Sequence, residues 1–135
     1  MKATAFKEET DFPPIPFDIR HCRLANELKN AGLIWKPHVG CFVWDRDDQI
    51  EVGSPFPGNI YFILNLGQFL RFFGTSDKIS KTLVCLPTWY QARLICKKFG
   101  VNGDRIKDIY KAVSALDPAE ELLKIYKLIL GNLLK

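Results

Sequence analysis

Two pairings of histidine and cysteine hold most of this chain's capacity for conventional chemistry. His21 directly precedes Cys22, and His38 leads to Cys41 in an H-x-x-C arrangement. Imidazole and thiolate bind zinc, and they act as bases and nucleophiles near neutral pH. With one more thiol, Cys22, His38, Cys41 and Cys85 would make a four-ligand set. Structural zinc sites usually repeat a short spacing twice, and here only H-x-x-C has that form. The plainer reading makes Cys22 and Cys85 core residues and His38 a loop residue after Pro37. On that reading no metal and no cofactor is expected.

Cys41 paired with His38 or His21 is the corresponding catalytic reading. Reactive thiols favour sharp turns and helix N-termini, where the helix dipole lowers their pKa. Cys41 instead opens a strand-like run, and no G-x-S-x-G elbow surrounds any serine. Asp45, Asp47, Asp48 and Glu51 form an acidic cluster, but the glycine and distal glutamate of a calcium loop are missing. Neither G-x-G nor G-x-x-x-x-G-K-[ST] occurs, so nucleotide fingerprints are absent. The chain reads as non-catalytic, with a small metal-binding protein or enzyme using His38 and Cys41 as an alternative.

Binding residues are easier to find. Trp35, His38, Trp89 and Tyr90 could line a small-molecule site, with Trp35-Lys36-Pro37-His38 on a loop. Arg93, Lys97 and Lys98 lie outside the apolar face of one helix, and Arg105, Lys107 and Lys111 belong to the next. Two basic helices joined by a short turn share the outline of a helix-turn-helix, which makes weak nucleic-acid binding a further alternative. Asp104 and Asp108 interrupt the second patch.

The elements that must position these groups can be read from periodicity and caps. Residues 1–16 form an extended, proline-rich arm ending in Phe12-Pro13-Pro14-Ile15-Pro16. Residues 17–135 form one globular domain. Asp18 caps a helix running to about Asn30, and Gly32 ends it. Residues 40–44 and 49–52 read as a hairpin around an Asp-rich turn, and residues 60–64 as a further strand. Asn65 starts a short helix that Gly74 stops, and Ser76 or Asp77 starts another helical turn. Residues 82–86 follow as a buried strand. Thr88-Trp89-Tyr90-Gln91 has capping-box spacing for a helix ending at Gly100. Asn102-Gly103 marks a turn before a helix over 104–115, and Asp117-Pro118 opens the last helix, over 118–134. This pattern predicts an α+β domain, with α/β as the alternative. Its small sheet of three or four strands packs against helices.

Composition sets the outer bounds. The chain has 135 residues, 47% hydrophobic and 25% charged, which suits one folded domain rather than a disordered one. Four cysteines are too few for a disulfide scaffold, and no signal segment or membrane span is evident, so a cytoplasmic setting is expected. The net charge of +4 is uneven: residues 1–60 sum to −2 and residues 61–135 to +6.

The last helix is apolar around well over half its circumference, more than a surface helix needs. Leu128, Leu130 and Leu134 are therefore the candidate interface. The leading expectation is a non-catalytic domain that binds a protein partner or itself, as in a homodimer. No membrane partner is expected.

Overall fold

The computed structural model describes residues 6–7, 9–101, 103–113 and 117–135. The Asn102 turn and the far end of the helix expected over 104–115 lie outside the described residues. Among the described residues, six helices and three strands follow one another as α1 (Ile19–Asn30), β1 (Phe42–Trp44), β2 (Ile60–Phe62), α2 (Leu66–Phe73), α3 (Ser76–Thr82), β3 (Val84–Leu86), α4 (Trp89–Lys98), α5 (Gly103–Val113) and α6 (Pro118–Leu133). The fold is α+β.

The sheet is antiparallel, in the order β2-β1-β3. Its register places Phe42 opposite both Phe62 and Leu86, and Val43 opposite both Tyr61 and Cys85. Side chains alternate between the two faces of a strand. Phe42, Trp44, Ile60, Val84 and Leu86 therefore share one face, where they meet Cys22, Ala25 and Leu28 of α1 and Leu122, Ile125, Tyr126 and Ile129 of α6. Cys41, Val43 and Ile63 belong to the other face and pack with Phe73 of α2, Ile79 of α3 and Leu83. The sheet thus separates a larger core from a smaller one.

The expected hairpin between residues 40–44 and 49–52 does not form. β1 pairs with β2 and β3 instead, and residues 49–52 are not a strand. Asp45 supplies the reason. Its buried carboxylate accepts the N–H groups of Gln49 at 2.9 Å and Ile50 at 2.8 Å. Those donors are spent on a side chain, and Asp48 turns the chain through a left-handed conformation (φ 52°). The segment closes into a loop around one carboxylate.

The outward carbonyls of β2 are also engaged. The ladder alternates, so the Ile60 and Phe62 carbonyls point away from β1. Ser54 Oγ donates to the Ile60 carbonyl, and the Leu64 N–H donates to the Phe62 carbonyl at 3.1 Å.

Caps agree with the sequence at α1, α4 and α6, whereas Asn65 makes no capping hydrogen bond to α2 and Thr75, not Ser76 or Asp77, caps α3. Asp18 and Thr88 both complete capping boxes. α1 and α4 both end in Schellman turns: Gly32 and Gly100 have φ of 103° and 73°, and the next N–H reaches back to Leu28 or Cys96. The proline-rich arm is anchored by Ile15 and Phe17, both buried in the larger core, while Phe12 is exposed.

The box at α1 is unusual because histidine, not glutamate, fills its third position. His21 Nδ1 accepts the Asp18 N–H at 3.1 Å, and Nε2, 3.0 Å from the Ala119 carbonyl, donates to it. The ring is fully buried, with Phe17 and Tyr126 edge-on to it. Arg20 bridges the starts of both helices, bonding Asp18 and Glu120.

Burial raises the Asp18 pKa, but hydrogen bonds from the Arg20 side chain and backbone, with nearby positive charge, outweigh it. The carboxyl falls from an ordinary 3.8 to about 2. A depressed folded pKa adds stability above the unfolded value, and that stability is lost as pH falls through the folded one. Between about pH 4 and pH 2 the melting temperature should therefore fall more steeply for the native chain than for Asp18→Asn, which keeps a capping oxygen. Thermal melts across that range check this; parallel slopes would show that the charge contributes nothing.

Candidate functional site

α4 places the most functional chemistry at the surface. Its capping box is reciprocal: Thr88 Oγ1 accepts the Gln91 N–H at 3.2 Å, and Gln91 Oε1 accepts the Thr88 N–H at 2.9 Å. Ala92 and Cys96, one turn apart, are buried. That orientation leaves Tyr90, Arg93, Leu94, Lys97 and Lys98 exposed. α5 buries Ile106 and exposes Arg105, Lys107, Tyr110 and Lys111.

Trp89 is fixed from two sides. Its indole N–H donates to Glu121 Oε1 at 3.0 Å, and the Arg93 guanidinium lies 4.6 Å from its ring centre. Glu121 comes from α6 and is buried. Two helices, α4 and α6, thereby set the position of one cation, which stacks on the indole. Two recesses flank it. One, of about 280 Å³, is walled by Trp89, Ile106, Lys107, Tyr110, Lys111 and Glu121. The other, of about 440 Å³, is walled by Tyr90, Leu94, Lys97, Gly100, Val101 and Gly103. Arg93 and Ile106 belong to both, so the recesses adjoin as a groove along the α4–α5 seam that Arg93 divides.

The electrostatics of this face are distinct. Residues 88–113 carry six Lys/Arg and two Asp, leaving thirteen residues of each sign in the rest of the chain. The whole net charge of +4 therefore resides on this segment. Tyr90 is 68% exposed and Tyr110 is 54% exposed, so their rings are available to a ligand.

The other candidates are placed differently. Trp35, His38, Cys41 and Cys85 share the walls of a recess of about 220 Å³ with Pro87 and Gln91. Cys22 packs in the larger core, against the opposite face of the sheet, so it does not join them. Among the described residues no three His, Cys, Asp or Glu side chains are grouped to hold a metal ion. Burial raises the pKa of Cys41, although a backbone hydrogen bond from His38 opposes it. Burial also raises Cys85, and pushes Cys22 up to about 12. These thiols favour the protonated, weakly nucleophilic form. Trp35 Nε1 is buried with no hydrogen-bond partner among the described residues.

A separate apolar recess of about 460 Å³ lies beside β2 and α2, lined by Tyr61, Phe62, Phe69 and Phe72 among others. Of the aromatics that the sequence offers for a small-molecule cleft, it gathers Tyr61 but not Trp35, Trp89 or Tyr90. On α6, Leu128 and Leu130 are half-buried against the larger core, whereas Leu134 is 70% exposed. No helix among the described residues is long and apolar enough to cross a membrane.

The structure thus sets Trp89 and Tyr90, read as small-molecule contacts, beside Arg93 and Lys97, read as nucleic-acid contacts, and separates them from Trp35 and His38. Sequence reasoning missed Tyr110 and Glu121. Tyr110 follows Ile106 and Ile109 at helical spacing and reads as core. Its hydroxyl was the sign that it sits at the margin. Nothing local marks Glu121 as a buried partner of an indole 32 residues away. No family model matches the chain, and no curated protein or solved structure matches it significantly.

Proposed function

We propose that this chain is a non-catalytic binding domain whose working surface is the α4–α5 face and whose partner is anionic. One observation carries this reading: the segment that holds the chain's entire net charge also exposes Tyr90 and Tyr110 around a fixed Arg93. Clustered cations draw an anionic partner through long-range attraction. Exposed aromatic rings and arginine then supply contact energy at short range. Self-association through Leu128, Leu130 and Leu134 has less to work with, because the first two are already half-committed to the core. Catalysis or metal binding by His38 and Cys41 has little support from a buried thiol of raised pKa. A cytoplasmic location belongs to the same proposal and rests on four free thiols.

Heparin, a polyanion without bases, tests the charge directly. The native chain should be retained on heparin resin and released by salt. Joint reversal of Arg93, Lys97 and Lys107 to Glu should abolish retention. Reversal of Lys124 and Lys127, exposed on α6, should leave it largely intact. Equal loss in both variants, or no retention of the native chain, would reject the α4–α5 face as the anionic surface.

A further inference from the structure

Resting on that reading, we propose that the anionic partner is a single-stranded nucleic acid, with bases stacked on Tyr90 and Tyr110 and phosphates held by Arg93, Lys97, Lys107 and Lys111. The groove has an aromatic recess on each side of a central cation. A single strand offers the matching alternation of flat bases and charged phosphates, and stacking on tyrosine tolerates any base. Trp89 has a different task. Its N–H is held by Glu121 and its ring is covered by Arg93, so it is a positioning residue that keeps the guanidinium in mid-groove.

Two other partners fit less well. A duplex read by helix insertion would meet the N-terminal part of the second helix. Here that part carries Asp104 and Asp108, which repel phosphates. An acidic amphipathic peptide would need a row of apolar anchor sites along a continuous groove. This groove is interrupted at Arg93, and Leu94 is the one largely exposed aliphatic side chain among its walls.

The test is fluorescence anisotropy with labelled oligothymidylate, a matched-length duplex and a polyglutamate peptide, beside the heparin assay. Oligothymidylate should bind most tightly, and four phosphate contacts should give a log–log salt slope of about −3. Tyr90→Ala and Tyr110→Ala should each weaken oligothymidylate binding about tenfold while leaving heparin retention unchanged. Both sites are exposed, and circular dichroism would verify that the variants fold. Heparin retention together with oligothymidylate binding that ignores both tyrosines would overturn the stacking proposal but keep the anionic face. Tighter binding of the duplex or of polyglutamate would overturn it in favour of that partner. Loss of heparin retention in the native chain would reject the underlying reading itself.

Discussion

Replacing Tyr126 with alanine should cost about 4 kcal/mol of folding stability, the range expected when a buried aromatic side chain is deleted. Tyr126 is fully buried in the larger core and is among the largest side chains excluded from solvent. Its hydroxyl donates to the Pro87 carbonyl, and burial holds that hydroxyl far from ionisation. Removing the ring opens a cavity between α6 and the sheet, and also orphans a carbonyl immediately before the α4 cap. Tyr126→Phe separates the two effects. It keeps the ring and loses only the hydrogen bond, for about 1–3 kcal/mol. Denaturant unfolding followed by circular dichroism checks both. Domains of this kind have about 5–15 kcal/mol in total, so the alanine variant should be close to unfolded at modest denaturant. An alanine variant no less stable than the phenylalanine variant would mean that the ring's packing contributes little.

Asp45→Ala should be the next most damaging change, at about 3 kcal/mol. A hydrogen bond to a charged group contributes about 1.5–3 kcal/mol, and this carboxylate accepts two from the backbone. The loss is local in origin. Without the carboxylate, the Gln49 and Ile50 N–H groups lose their acceptor, and Ile50 loses the turn that sets it against the smaller core. Asp45→Asn keeps one acceptor oxygen and should fall between the native chain and the alanine variant. The same unfolding measurement ranks the three, and an alanine variant within about 0.5 kcal/mol of the native chain would show that the loop closes without it.

Asp45 also shows where the sequence stops being legible. Asp-rich segments between two apolar runs favour a reverse turn, and residues 40–52 have that form. A hairpin and a loop wrapped around a buried carboxylate begin with the same residues, and only tertiary burial separates them. Helix ends were readable because caps act within four residues: Asp18, Thr88 and Asp117 all accept N–H groups from the turn they begin. Strand order was not, since β1 finds one partner in Ile60–Phe62 and the other in Val84–Leu86, about 40 residues on.

The candidate site divides in the same way. Its cations were evident from the helical period. Its rings were known one by one, but their meeting across the α4–α5 seam depends on α6, which reaches Trp89 through Glu121. His21 carries the opposite lesson. A histidine beside a cysteine suggested chemistry, yet its ring nitrogens are both occupied with backbone at two helix starts.

The bonds from Ser54 and Leu64 to the rim of β2 have a consequence for how this domain behaves in a crowd. A three-stranded sheet with a bare margin is a seed: another chain can add a strand, and the enlarged sheet offers the same invitation again. Here the two outward carbonyls of β2 are already engaged by the domain's own loop and turn. An added strand would find both carbonyls of that margin taken, so these two local bonds oppose strand-by-strand growth there.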